Sequence, residues 1–213
     1  MNDWQQRFLD QALFEACERR DFKAAKSLLQ EILNWALEAA IQSISITASS
    51  TGITGKPTPT EQLSILSIIE HLLKAGANPN AGFTNAVSSA EVILLLIRAG
   101  AEVNAKDGTG DTALFMAVEG GYSESVKVLL GHGADPNIPG GNGARIAPLM
   151  LAAMRNNADI VKTLLSAKAD PNARDASGKT ALTYAQKNAP YSGQESLDIL
   201  LAVSQSEEKS KGK

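Results

Sequence analysis

Two histidines and one cysteine are the side chains of this chain that could most readily carry catalysis or bind a metal. His71 and His132 each lie near the end of an apolar segment, and neither belongs to a Cys/His cluster with the spacing of a zinc site. Cys17 has no sequence neighbour that would activate its thiol. We interpret all three as structural residues, and we expect no catalytic residue, no metal ligand and no cofactor.

A glycine-rich run at Gly140, Gly141 and Gly143 has the composition of a phosphate-binding loop. Such a loop follows a strand and carries a lysine after its last glycine, and this run has neither feature. We therefore interpret it as a flexible turn between helices.

The sequence repeats a five-residue motif, here called the repeated phrase, which indicates the elements that position these residues. Its copies are Gly76–Asn80, Gly100–Asn104, Gly133–Asn137 and Lys168–Asn172, and the last one has lost its glycine. Each copy follows a pair of leucine or isoleucine residues, and the copies are 24, 33 and 35 residues apart. A period of about 33 residues made of helices and turns is typical of a stacked repeat array.

One repeat shows the expected elements most clearly. Residues 107–110 form a turn rich in glycine and aspartate, and Thr112 then begins a short helix with Leu114 and Val118 on one face. A second helix follows Ser123, which can cap it, and Gly133 ends that helix in the left-handed conformation that glycine adopts without strain.

The next repeat carries Ala147-Pro148-Leu149-Met150-Leu151-Ala152-Ala153, followed by Leu164-Leu165 and Ala169-Asp170-Pro171-Asn172. These segments resemble the ankyrin repeat family, whose unit is a β-turn finger, an inner helix and an outer helix. The resemblance covers residues 60–203 well and residues 10–30 more weakly. It implies an all-α ankyrin-repeat solenoid of about five repeats, with an atypical N-terminal cap and one truncated repeat.

We expect a single ankyrin-repeat domain over residues 1–203, followed by a disordered tail. The expected segments are an N-terminal cap repeat 1–30, a long-helix extension with a mobile loop 31–59, a second repeat 60–80, a truncated repeat 81–104, a third full repeat 105–137, a further repeat 138–172, a C-terminal cap repeat 173–203 and the tail 204–213.

Two segments depart from the family pattern. No Gly or Pro interrupts residues 21–46, which predicts one long helix that packs on the helix after Thr60 through residues that include Ile68 and Ile69. The 24-residue step leaves only residues 81–87 for an inner helix. Either a notch forms there with Phe83 near its floor, or neighbouring side chains fill the gap.

The bulk composition restricts the classes of function. The chain has 213 residues and a net charge of −3, which argues against binding nucleic acid through basic charge. One cysteine forms no internal disulfide, the N-terminus has no signal-peptide pattern, and no apolar run is long enough to cross a membrane. We expect a cytoplasmic protein that is a monomer when free and binds proteins rather than nucleic acid or membrane.

The family resemblance implies that fingers and inner helices bind a partner protein on a concave face. Phe115 and Met150 stand where the family usually has a histidine, and their alternative role is to pack between repeats. The residues expected on the partner-binding face are Asp111, Phe115, Glu119, Arg145, Ile146, Met150, Met154, Arg155, Lys179 and Lys187.

These observations favour a non-enzymatic interaction module that acts as an adaptor, an assembly or stability factor, or an inhibitor. Binding through the N-terminal long-helix arm, residues 31–75, is one alternative, and a structural spacer that bridges two complexes is another. An enzyme with a site near Phe83 is the hypothesis of a different class, and it requires a pocket with converging polar groups.

Overall fold

The computed structural model describes residues 11–12, 15–16, 19, 21–49, 59–141, 143–188 and 194–211. Our expectations for Cys17 and for most of the mobile loop expected within residues 31–59 lie outside these residues. The chain forms two compact units, Met1–Ala101 and Glu102–Lys213. The described residues are mostly helical and contain no strand, only two isolated β-bridges.

In the first unit, the described residues from 21 onward form three α-helices and a short 3₁₀ helix. Their bounds are α1 Phe22–Ser49, α2 Pro59–Lys74, the 3₁₀ helix Phe83–Ser88 and α3 Ala90–Arg98. Helix α1 has 28 residues, so the predicted long helix is present and extends slightly further than residues 21–46.

Helix α1 packs against both α2 and the 3₁₀ helix. Leu37 and Ile41 are buried at 0% and 1% exposure, and Ile69 of α2 is buried at 0%. The expectation for Ile68 was wrong, because this side chain is 52% exposed. Ile68 precedes Ile69 by one residue, and adjacent residues of a helix point about 100° apart, so only one of them faces α1.

The truncated repeat is packed around Phe83, which is buried. Its 3₁₀ helix takes the place of an inner helix, and Phe83 is 2% exposed. Gly82 brings the chain against α1, since a Cβ there would lie 3.2 Å from Glu38 Cγ and 3.4 Å from Ile41 Cδ1. Side chains of α1 therefore fill the gap, which is the packed alternative rather than the notch.

Helix α1 also supplies hydrogen bonds to the first copy of the repeated phrase. Gln30 Nε2 donates to the carbonyl of Gly76 at 2.7 Å, and Asn34 Oδ1 accepts from the N–H of Asn78 at 2.7 Å. In the second unit one side chain makes both bonds: Asn104 donates to Gly133 and accepts from Asp135. Two side chains of α1 thus make the pair of hydrogen bonds that a single loop asparagine, Asn104, makes in the second unit.

Within its described residues, the second unit contains three pairs of helices. They are α4 Ala113–Gly120 with α5 Ser123–Gly131, α6 Pro148–Met154 with α7 Ala158–Ser166, and α8 Ala181–Asn188 with α9 Glu195–Lys211. The inner helices α4, α6 and α8 pack in sequence, and so do the outer helices α5, α7 and α9. Helix α9 continues through residues 204–211, where we expected a disordered tail.

Local signals explain where these helices begin and end. The Thr112 hydroxyl accepts from the Phe115 N–H at 3.2 Å and caps α4, while Asn157 caps α7 in the same way at Ile160. Gly133 follows α5 with φ of 89°, and Lys168 takes the equivalent place after α7 with φ of 67°. The fourth copy of the phrase therefore keeps the left-handed turn even though its glycine is missing.

Candidate protein-binding groove

An open groove lies on the second unit between its fingers and its inner helices. We name it the 107–155 groove. Its volume is about 670 Å³. The residues that line it are Asp107, Thr109, Asp111, Phe115, Met116, Glu119, Gly141, Ile146, Leu151, Met154 and Arg155.

The first finger, residues 106–112, forms one side of the groove. A bridge between Lys106 and Thr112 closes this finger. Inside it, Asp107 Oδ1 accepts from the N–H groups of Thr109 at 2.9 Å and Asp111 at 3.0 Å, and from the Thr109 hydroxyl at 2.6 Å. Three donors on one carboxylate oxygen hold the tight turn in a fixed shape.

The second finger, residues 140–146, is tied to the first by Asp111. Asp111 Oδ1 accepts from the Gly141 N–H at 2.8 Å, and its Oδ2 accepts from the Thr109 hydroxyl at 3.0 Å. Gly140 lies so close that an added Cβ would overlap Asp111 Oδ1 and lie 2.8 Å from the Phe115 ring. Only glycine fits here, and the reason is space rather than backbone conformation.

The floor of the groove is apolar. Phe115 and Leu151 are 5% and 6% exposed, and they present only the edges of their side chains. Met154, at the end of α6, is 38% exposed and is the large apolar side chain of this site that solvent reaches most. A preorganised apolar surface of this kind suits a protein side chain better than a polar substrate.

An ion pair borders the groove beside the helices. Arg155 Nη2 lies 3.3 Å from Glu119 Oε1, and the two side chains are 53% and 46% exposed. The pair joins the end of α4 to the end of α6. Because it is so exposed, it contributes little to folding, roughly 0–1 kcal/mol, and both groups can reach a partner.

Asp107 carries its negative charge over the whole physiological range. Burial raises the pKa of its carboxyl, but hydrogen bonds from the Thr109 hydroxyl and from the N–H groups of Asp111, Thr109 and Gly110 outweigh that effect. Its pKa is therefore held below the ordinary aspartate value.

Six of the ten expected site residues line the groove. They are Asp111, Phe115, Glu119, Ile146, Met154 and Arg155. The sequence reasoning did not select Asp107, Met116, Gly141 and Leu151, which line it as well. For Asp107, the signal available in the sequence was its position four residues before Asp111 in the same finger.

The other four expected residues lie elsewhere. Met150 is 1% exposed, so the alternative role of packing between repeats applies to it. Arg145 is exposed in the second finger with φ of 55°. Lys179 is exposed with its Nζ 5.8 Å from the centre of the Tyr184 ring, and Lys187 is exposed in the last turn of α8.

The histidines occupy structural positions. His71 Nδ1 lies 2.7 Å from the Ser67 carbonyl, and His132 Nδ1 lies 2.8 Å from the Val128 carbonyl, each one helical turn back. Across the described part of the chain, no group of three His, Cys, Asp or Glu residues is placed to hold a metal ion.

Comparison with known proteins agrees with this arrangement of fingers and helix pairs. A family model described as ankyrin repeats (three copies) matches residues 62–140 and again residues 140–210. The chain belongs to the ankyrin repeat family. Ankyrin repeats generally mediate protein–protein interaction, and the family is typically non-enzymatic.

A curated relative of this ankyrin repeat protein comes from Fowlpox virus (strain NVSL). It is described as ankyrin repeat protein FPV219, and it is 50% identical over 48 residues. The matched segment covers 22% of this chain and 11% of the relative. The likeness therefore extends to repeats and not to the whole of the relative.

Within the described ranges, no helix combines the length and the apolar character that a membrane-spanning helix needs.

Proposed function

We propose that this chain is a non-enzymatic binding module that holds a partner protein in the 107–155 groove. It would act by occupying its target, as an adaptor, an assembly or stability factor, or an inhibitor. The observation that carries the proposal is Met154, an exposed apolar side chain in an open groove with an apolar floor.

Rigidity of the groove supports the same function. Its two fingers are tied by the Asp111–Gly141 hydrogen bond, and its helices are joined by the Glu119–Arg155 pair. A surface that is ordered before binding loses less conformational entropy when the partner arrives. The mixture of aromatic, methionine and arginine side chains is also the usual composition of interface hot spots.

A pull-down from lysate of the native host tests the proposal with two variants. Met154→Asp places a charge on the exposed apolar side chain of the groove, and Lys127→Glu reverses one charge of the exposed Glu124–Lys127 pair on α5. We expect a specific partner to be retained by the wild type and by Lys127→Glu, and to be lost by Met154→Asp. Equal retention by all three would contradict binding in the groove.

The N-terminal arm is the second candidate surface, because Ile68 of α2 is 52% exposed. Ile68→Asp would then abolish capture of a partner that Met154→Asp leaves bound. Two partners lost independently, one with each variant, would instead indicate a spacer that bridges two proteins.

A further inference from the structure

The charges in the 107–155 groove are unbalanced. Arg155 is the one basic side chain among its lining residues, and Glu119 already pairs with it at 3.3 Å. Asp107 and Asp111 make no ion pair with a lysine or arginine in the part of the chain that the structure describes. The finger residues that line the groove therefore carry negative charge without a paired cation. Lys106 of the first finger donates instead to the Pro139 carbonyl, and Arg145 of the second finger is not among the lining residues.

The two aspartates differ in what they can offer a ligand. Asp111 is 9% exposed, and both of its oxygens already accept hydrogen bonds, from Gly141 and from Thr109. Asp107 is less buried, and its hydrogen bonds from the Thr109 hydroxyl and from the N–H groups of Thr109 and Asp111 all end on Oδ1. None of these bonds ends on Oδ2, so this oxygen can accept a further hydrogen bond at the edge of the groove.

We propose that the occupant of the groove is a segment of the partner protein that carries an arginine or lysine beside a large apolar side chain. The apolar side chain packs on Phe115 and Met154, and the cation donates to Asp107 Oδ2. The inference rests on the proposed function and names the chemistry of its partner. A charged donor on a carboxylate is among the stronger hydrogen bonds, so it would supply both affinity and direction.

An acidic segment fits the same groove poorly. It would place its carboxylates near Asp107 and Asp111, where like charges repel, and the Glu119 side chain already competes for Arg155. A purely apolar segment would leave the Asp107 carboxylate facing the complex without a partner, which costs affinity when the groove loses water.

Selection from a random peptide library displayed on phage, panned against the full chain, tests the inference. Each enriched peptide is synthesised with a fluorescent label, and its Kd is measured for the wild type, Met154→Asp, Asp107→Asn and Asp175→Asn. Asp175 is the matched control because it occupies the same place in the third finger, residues 174–180, where its Oδ1 accepts from the N–H groups of Ser177 and Lys179. Asparagine keeps an Oδ1 acceptor at both positions, removes the charge and replaces Oδ2 by an amide donor, which at Asp175 also removes the acceptor of the Tyr184 hydroxyl.

We expect the peptides that Met154→Asp no longer binds to carry an arginine or lysine next to an apolar residue. Asp107→Asn should weaken their binding about tenfold, Asp175→Asn should leave it unchanged, and added salt should weaken it for the wild type. Groove-dependent peptides without a cation, or with no response to Asp107→Asn, would overturn the inference and leave the proposed function standing. If Met154→Asp still binds every selected peptide, both the inference and the proposed function are wrong.

Discussion

Asp111 and Gly141 lie thirty residues apart in sequence, and a 2.8 Å hydrogen bond joins the carboxylate of the first to the backbone N–H of the second. The bond ties the first finger to the second at the edge of the 107–155 groove. A third finger is tied in turn, since the Ala176 N–H donates to the Ala144 carbonyl at 3.0 Å. Hydrogen bonds therefore join the three fingers of the second unit to one another, so they do not act as separate loops.

Removing the Asp111 carboxylate should loosen that edge. Asp111→Ala leaves the Gly141 N–H without its acceptor, while the Thr109 hydroxyl keeps Asp107 Oδ1, and we expect the change to lower the free energy of unfolding by about 1–3 kcal/mol. Asp111→Asn keeps one acceptor oxygen and should cost less. Urea unfolding followed by circular dichroism measures both changes, and equal stability of Asp111→Ala and the wild type would show that the bond contributes nothing.

Crowding at Gly140 gives a second prediction. A methyl group there overlaps Asp111 and the Phe115 ring, so we expect Gly140→Ala to destabilise the protein by about 1–3 kcal/mol. Gly108→Ala is the control, because a Cβ at Gly108 meets no atom within 4 Å and its backbone lies outside the left-handed region. Thermal melts of the two variants should separate clearly. Coincident melting curves would show that the second finger moves aside at no cost.

Lys168 offers a stabilising substitution. This lysine has φ of 67° in the turn where Gly76, Gly100 and Gly133 have φ of 99°, 96° and 89°. Because a Cβ is strained in the left-handed region, we expect Lys168→Gly to stabilise the protein by roughly 0.5–1 kcal/mol.

The reciprocal change checks that backbone strain is the cause. Gly133→Lys places a side chain in the same conformation with no atom within 4 Å of its Cβ, so it should destabilise by a similar amount. The midpoint of urea unfolding reports both variants. A loss of stability in Lys168→Gly would mean that interactions of the lysine side chain outweigh the strain.

The third finger should respond to acid. The Tyr184 hydroxyl donates to Asp175 Oδ2 at 2.5 Å, and this bond lowers the pKa of Asp175 and raises the pKa of Tyr184. A lowered carboxyl pKa gives stability that is present above the unfolded-state pKa and is lost as pH falls through the folded-state value. A raised tyrosine pKa gives stability that is lost as pH rises through its folded-state value.

Tyr184→Phe should therefore reduce stability near neutral pH and flatten the decline that begins at about pH 5 and continues as pH falls below the ordinary aspartate pKa of about 3.9. The part of the decline that belongs to Asp107, whose pKa is also lowered, should remain. Urea midpoints measured across this range compare the variant with the wild type. Parallel curves for the two proteins would show that the Tyr184–Asp175 bond is not what couples the third finger to pH.

Local patterns in the sequence were sufficient for much of the fold. The copies of the repeated phrase located the ends of the outer helices, and the absence of Gly and Pro after Asp21 predicted the long α1. The short 24-residue step predicted that one inner helix is missing, and a 3₁₀ helix occupies its place. These features depend on neighbours in sequence, which is why periodicity and turn residues reveal them.

Features that depend on tertiary contacts could not be predicted in the same way. Met150 was expected on the binding face, yet α6 turns it into the core, where it is 1% exposed. The roles of Gln30 and Asn34 depend on α1 passing the Gly76 turn. Gln30 bonds to a residue 46 positions away in sequence, and Asn34 bonds to one 44 positions away. The groove itself combines two fingers and two helices, so its lining became known only from the structure.

Photo-crosslinking from within the groove tests the central claim most directly. Benzoylphenylalanine in place of Met154, and separately in place of Ile68, puts a reactive group on the groove and on the arm, since both side chains are exposed in the native protein. After irradiation in lysate of the native host, we predict that the Met154 probe forms a specific adduct with one partner protein and that an added Asp111→Ala change reduces it. Adducts from the Ile68 probe alone would contradict the account and place the binding surface on the N-terminal arm.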